Sequence, residues 1–530
     1  MGAVETATPR VFSLQSIPRT AFGEKQSVHD EHVKPAAPAG DENKESQVSS
    51  FESRKDAGMA FSVGRRRLTW AASVFSMLVA GADICSAGSE PPEFETVGAE
   101  APAGPSVDCS PEAIFGCCPS AAAAASPYAD SLCERAFLLG DWGGLRDCLA
   151  DDGVTMNLSS TNIYQGVTAG GIRQNFEFSG RGDLYINVDG EKAGLWKGSF
   201  LTLHGETRYG STINNATGAI MPANVAGLFP LPNGSVTALT AVKFTQALSE
   251  SFVVFGGKLN MLDELVQPYA GGRGVDAFMN MGLAFPPAAA RTVPYSTLGG
   301  GFAILQDMEP IVSMMVLDTN NTPTTSGFDS FFSNGATVVG KLNVPTKLAG
   351  LPGHQGIWGT YSSGTYNDLQ PTAYFDPEAG LVIVSGREQG SWSMFYSADQ
   401  AFYVDPSNPK RSWGMFTNIG LADNGPSPIR WSANVGIGGS SLLTFRPLDT
   451  FGIGYSFVGY SDPVKQIAPV LLPIQDDQVV ELFYNIAVTP WFHLTPDLQI
   501  IVPARERTLP PGARDIDTAL VFGLRGKIDF

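Results

Sequence analysis

Histidine, cysteine and charge are all scarce in this chain, and each scarcity closes off a class of function. Only three of its five histidines, His204, His354 and His493, lie beyond residue 140, and none of them sits in a metal-binding or Ser-His motif. The chain therefore reads as a non-enzyme, with no cofactor and no metal. A carboxylate pair for glycoside cleavage is the one catalytic arrangement that spacing leaves open, because acidic residues are plentiful. Charged residues make up 16% of the chain, against about 25% in ordinary soluble domains. Lys and Arg number 34 against 52 Asp and Glu, a net charge of −18, so no basic face is offered to nucleic acid. Acids and bases balance through Ala87. The whole acid excess lies downstream, where a solvated acidic surface explains it.

Long apolar runs are missing too. Past the N-terminal region nothing approaches the roughly 20 residues of a membrane helix. Yet Gly (59) and Phe (32) are abundant, and mean hydropathy is +0.01. Hydrophobicity dispersed in this way belongs to strands, whose signal per segment is weak.

The pattern that is present has period two. Ile516, Thr518, Leu520, Phe522, Leu524, Gly526, Ile528 and Phe530 form one face of the last stretch, while Asp515, Asp517, Arg525, Lys527 and Asp529 lie on the other. Such a strand fits an outer-membrane barrel, with the apolar row toward lipid, the charged row toward water, and closure against the first strand. Similar alternation recurs at Val154-Met156-Leu158, Leu184-Ile186-Val188, Phe451-Ile453-Tyr455-Phe457 and Leu482-Tyr484-Ile486-Val488. A short helix over Leu145 to Asp152, with Arg146 exposed, precedes the first strand. The expected fold is all-β: a transmembrane antiparallel barrel of about 16 strands over residues 140–530.

Upstream, residues 1–58 read as disordered or untranslated. Residues 59–87 carry Arg65-Arg66-Arg67, a short apolar run and small residues at Ser86-Ala87, the pattern of a signal peptide. Residues 88–139 form a Pro-, Ala- and Cys-rich appendage. With Cys148, its Cys109, Cys117, Cys118 and Cys133 make five cysteines in an oxidising setting, which favours disulfides over metal and leaves one thiol over.

Leu138-Leu139-Gly140-Asp141-Trp142-Gly143-Gly144-Leu145-Arg146 resembles the opening of the carbohydrate-selective porins, the OprB-like family. Thr489-Pro490-Trp491-Phe492-His493-Leu494-Thr495-Pro496-Asp497 and Gly523-Leu524-Arg525-Gly526-Lys527-Ile528-Asp529-Phe530 resemble its closing strands, and Phe255-Gly256-Gly257-Lys258-Leu259 an internal one. The resemblance implies a cell outer-membrane barrel through which sugars diffuse along a narrow, partly selective path, with Phe530 read by the barrel-assembly machinery. A homo-oligomer is compatible with it.

Candidate residues for that path come from the strand Leu201 to Tyr209, whose polar face carries Thr202, His204, Glu206 and Arg208. Lys258 shares a face with Phe252, Val254 and Gly256 and is read either as lumenal or as snorkelling at a strand end. Arg273, among Gly271, Gly272 and Gly274, folds inward into a constriction or stays solvated on a loop. Trp358, Trp392 and Trp413 are divided between sugar stacking and the aromatic belts of a bilayer. Two other functions stay open: a general cation-preferring porin, which the acid excess would suit, and a structural or adhesion barrel with a closed lumen.

Overall fold

The computed structural model describes residues 131–530, apart from 232–233, 266, 370–371, 377–379, 385, 466–472 and 509–513. The expected segments 1–58 and 59–87, and most of the appendage with Cys109, Cys117 and Cys118, lie outside the described residues.

The chain enters through helix α1 (Leu145–Asp151) and then runs almost entirely in strands. These are β1 (Val154–Ala169), β2 (Phe176–Asp189), β3 (Ser199–Gly210), β4 (Val236–Ser249), β5 (Phe252–Asn260) and β6 (Ser296–Gln306). Next come β7 (Glu309–Asp318), β8 (Ala336–Leu348), β9 (Leu351–Asn367), β10 (Thr372–Asp376), β11 (Gly380–Val384) and β12 (Arg387–Val404). The series ends with β13 (Ser412–Ala422), β14 (Ile429–Ser440), β15 (Thr450–Tyr460), β16 (Asp477–Thr489), β17 (Phe492–Val502) and β18 (Ala519–Asp529). Sixteen of them pair with their sequence neighbours in a closed antiparallel barrel, and β1 completes it against β18. β10 and β11 form a separate hairpin.

Side-chain alternation divides the wall into two faces. On β18, Leu520, Phe522 and Leu524 are exposed outward, while Val521 and Arg525 are buried inward. The same division runs along β16, where Glu481, Phe483 and Asn485 face in and Leu482 faces out. Trp392 and Tyr361 stand outward toward one end, and Trp196, Phe402 and Tyr403 toward the other, the placement of interfacial aromatic belts. Trp413 packs edge-on against outward Phe402. Trp358 instead points in, buried and stacked on Phe395 at 3.8 Å.

Connections at the end nearest the termini are short, as at 307–308, 349–350 and 490–491. The longest ones lie at the opposite end, as at 211–235, 261–295, 319–335 and 503–518. That asymmetry sets the first end in the periplasm and the second outside.

Two expectations need correction. The last strand begins at Ala519 rather than Ile516, because residues 515–517 are committed to loop contacts: Asp515 bridges Arg507, Ile516 N–H donates to Glu506, and the Asp517 carbonyl accepts from Gly171. Arg146 is 3% exposed rather than exposed. Its guanidinium donates to the carbonyls of Gly140 (3.0 Å), Met156 (3.2 Å) and Phe530 (2.7 Å) and lies over the rings of Phe137 and Trp142. The Gly-Asp-Trp-Gly-Gly run makes this clasp possible, since Gly140, Trp142, Gly143 and Gly144 all have positive φ, a conformation that is cheap mainly for glycine. Phe530 N–H donates to the Leu158 carbonyl, so the clasp ties both termini of the described barrel across the β1–β18 seam. The two described cysteines, Cys133 and Cys148, are both in disulfides.

Candidate functional site: the in-folded loop and its charged seat

The segment between β5 and β6, residues 261–295, does not stand out from the barrel rim. It carries a buried one-turn helix, α2 (Met281–Ala284), and its apolar residues Met261, Leu262, Phe278, Met279, Phe285 and Val293 are all nearly inaccessible. Burial of that much apolar surface against the inner wall, at about 25 cal/mol per Å², supplies the driving force for folding inward.

Its first charged residues meet the wall of β2 and β3. Arg181, Asp183 and Tyr185 alternate along β2, and His204 and Glu206 stand beside them on β3, with Asp183 directly opposite Glu206 and Tyr185 opposite His204. The Arg181 guanidinium grips Asp183 at 2.7 Å and also pairs with Glu206. The His204 ring bridges Asp183 (2.9 Å, Nε2) and Asp263 of the loop (2.6 Å, Nδ1), and stacks on Tyr185 at 3.9 Å. Arg273, also of the loop, donates to Asp183 at 3.1 Å, lies 3.7 Å from Asp263, and rests over the Tyr185 ring. Tyr185 closes the ring of contacts by donating its hydroxyl to Asp263 at 2.8 Å. Glu206 is further satisfied by Tyr295 and by Asn260.

Every charge in this cluster thus faces one of opposite sign. Arg181, Asp183, His204 and Glu206 have side chains between 0% and 3% exposed, whereas those of Arg273 and Asp263 are each 20% exposed. The loop pair is the edge that reaches open lumen, and the wall residues stand behind it. Burial works to raise the Asp263 carboxyl, but His204 and Arg273 outweigh it and hold it at about 2. Asp183, His204 and Glu206 are also spaced closely enough to suggest a metal cage. Two guanidiniums already occupy their carboxylates, so a cation would have to displace both.

The loop is then held by a second wall in a different way. Glu481 on β16 accepts the backbone N–H groups of Met279 and Asn280, and the Asn280 amide donates to Gln499 on β17. Arg525 on β18 donates to the carbonyls of Gly274 (2.9 Å) and Ala277 (2.7 Å), and Lys527 pairs with Asp276 at 2.7 Å. Arg525, expected to face water, is sealed beneath the loop at 1% exposure.

Of the residues singled out from sequence, His204, Glu206 and Arg273 are brought together. Arg208 lies farther along β3, where it donates to the Leu231 carbonyl of the external 211–235 loop. Lys258 stands opposite Val242 and Leu298, on the face away from inward Lys243, and donates to the carbonyls of Leu239, Pro323 and Thr325. Sequence reading missed Arg181, Asp183 and Asp263. The first two carry a usable signal, since Arg181, Asp183 and Tyr185 are spaced by two on the face opposite Leu184 and Ile186. Asp263 carries none, because its partners are settled only when the loop turns inward.

A closed sixteen-stranded barrel with an apolar exterior and a long loop folded into its lumen defines an outer-membrane porin. Residues 173–530 match the carbohydrate-selective porin, OprB family, and the chain belongs to that family. It is an outer-membrane porin of the carbohydrate-selective class, and both family and fold are those of channels rather than enzymes. Porin B of Pseudomonas aeruginosa is 25% identical over 191 residues, which span 33% of this chain and 40% of that protein. The protein QuiX of Acinetobacter baylyi is 23% identical over 446 residues, 75% of this chain and 94% of that one. The high-pH structure of Pseudomonas putida OprB superposes with a TM-score of 0.64 at 20% identity, over 76% of this chain and 100% of that one.

Proposed function

We propose that the barrel admits carbohydrates by passive diffusion past the 261–295 loop, with no catalytic step, and that Arg273 and Asp263 are the groups a permeating sugar touches. The observation that carries this reading is the mutual neutralisation of the cluster. A guanidinium and a carboxylate side by side supply donors and acceptors for hydroxyls, yet present little net field to an ion. Contacts of that kind are weak and exchangeable, as conduction demands. His204, Glu206, Arg181 and Asp183 hold the pair in place from behind. The outward apolar face meets lipid, Phe530 is read by the assembly machinery, and association with further copies is compatible with the exterior.

Liposome swelling with mono- and oligosaccharides tests the proposal, and sugar titration against single-channel current locates the contact. Sugar entry no faster than in protein-free liposomes would overturn it. A strong cation preference without sugar-dependent block would favour the general porin that the acid excess suggests.

A further inference from the structure

A second cluster of ligating groups lies on another part of the wall, apart from the loop's charged seat. His354 and Asp399 stand directly opposite each other on β9 and β12, on the inward face that also carries Trp358 and Phe395. Asp399 approaches the His354 ring nitrogen Nδ1 with both carboxylate oxygens, at 2.9 and 2.8 Å. On the far side of the ring, Nε2 lies 3.0 Å from a carboxylate oxygen of Glu309, at the start of β7. Asp399 is buried, with 6% of its side chain exposed, whereas the side chains of His354 and Glu309 are 24% and 60% exposed. Glu309 follows the 307–308 turn and His354 the 349–350 turn, so the group opens at the periplasmic mouth.

This order of groups, a buried carboxylate fixing one imidazole nitrogen and an accessible carboxylate beside the other, is that of a carboxylate–histidine–metal triad. Without metal, Asp399 accepts from Nδ1–H and Glu309 from Nε2–H, so an ion binds by replacing the Nε2 proton, which leaves to solvent. Two ligand atoms about 3 Å apart suit adjacent positions on a borderline ion, with metal–ligand bonds near 2.0–2.2 Å. We propose that His354 and Glu309, oriented by Asp399, bind a divalent ion of the Zn²⁺, Ni²⁺, Cu²⁺ class at the periplasmic mouth of the lumen. Water fills the other coordination positions, and the bound ion hinders passage. The site does not depend on sugar passage; only its effect on current requires a conducting lumen.

The test combines binding and conductance on the full chain in detergent and in planar bilayers. Calorimetric titration with ZnCl₂ should show a site that EDTA strips. Bilayers should show reversible block when Zn²⁺ is added on the periplasmic side, and much weaker block from the other side. His354→Ala should abolish both signals, and Glu309→Gln should weaken both. Asp399→Asn should lower affinity about 10- to 100-fold, as outer-sphere carboxylates do. His493, half-buried and also near that mouth with its Nε2 against the Pro490 carbonyl, is the control: His493→Ala should change neither. Wild-type binding that is absent, survives His354→Ala, or disappears in His493→Ala would overturn the proposal. If His354→Ala fails to insert, unchanged Zn²⁺ affinity in Glu309→Gln would do the same.

Discussion

The loop across the lumen is seated on two walls that hold it by different chemistry. At β2 and β3, charged wall side chains meet charged loop side chains, and the outermost pair keeps a fifth of its side-chain surface in open lumen. At β16 and β18, Glu481 and Arg525 instead capture loop backbone out of reach of solvent, with Asn280–Gln499 and Asp276–Lys527 as side-chain contacts beside them. Backbone capture fixes where the loop runs whatever its side chains are. On the proposed reading the charged seat also meets whatever passes, so only there should substitution change selectivity.

The sharpest way to break this contrast is Asp183→Ala. It leaves the buried Arg181 and the partly exposed Arg273 without their shared carboxylate, a loss of about 3–5 kcal/mol for a broken buried pair, read as a lower thermal midpoint in detergent together with altered sugar block. Glu481→Gln comes next. One of the two backbone N–H groups it serves loses its acceptor, at about 1–3 kcal/mol. Stability should fall and open-channel current should become noisier, while sugar affinity of the open state stays the same. Arg273→Ala should do the reverse, weakening sugar block about tenfold, or ~1.4 kcal/mol, with little change in midpoint. Lys258→Ala should leave block intact.

The smallest effect is one of pH. Asp263 is held at about 2, below the ordinary carboxylate value of about 4. A depressed native pKa contributes stability that is complete above the unfolded value and is lost as pH falls through the native one. The midpoint difference between wild type and Asp263→Asn should therefore be constant above about pH 4 and shrink toward pH 2. A difference that grows on acidification would mean that the His204–Asp263–Arg273 contacts do not form.

The wall was legible in the sequence because a strand's faces are written in its own residues. Leu520, Phe522 and Leu524 against Arg525, and Leu482 against Glu481, need no knowledge of the neighbouring strand. His204 and Glu206 were legible for the same reason. What the loop touches is a different kind of information. Asp263 finds His204, and Met279 finds Glu481, across separations of 59 and 202 residues, and no local period encodes either. Lys258 shows the converse: its period was read correctly, but whether its face looked into the lumen depended on which way β5 was turned. Arg146 looked exposed on the expected Leu145 to Asp152 helix because its acceptors at Met156 and Phe530 come together only when the barrel closes.

The loop also has a mechanical consequence. An empty cylinder of strands is stiff along its axis but easily squeezed into an ellipse, since neighbouring strands can hinge about their ladders. Rooted between β5 and β6, residues 261–295 reach β16 through Glu481, β14 through Asn434 and β9 through Thr292, like spokes thrown from one point of a rim. Flattening the barrel in any direction must stretch some spoke and break hydrogen bonds out of water. Those hydrogen bonds oppose such flattening, so the loop braces the wall as well as narrowing the lumen.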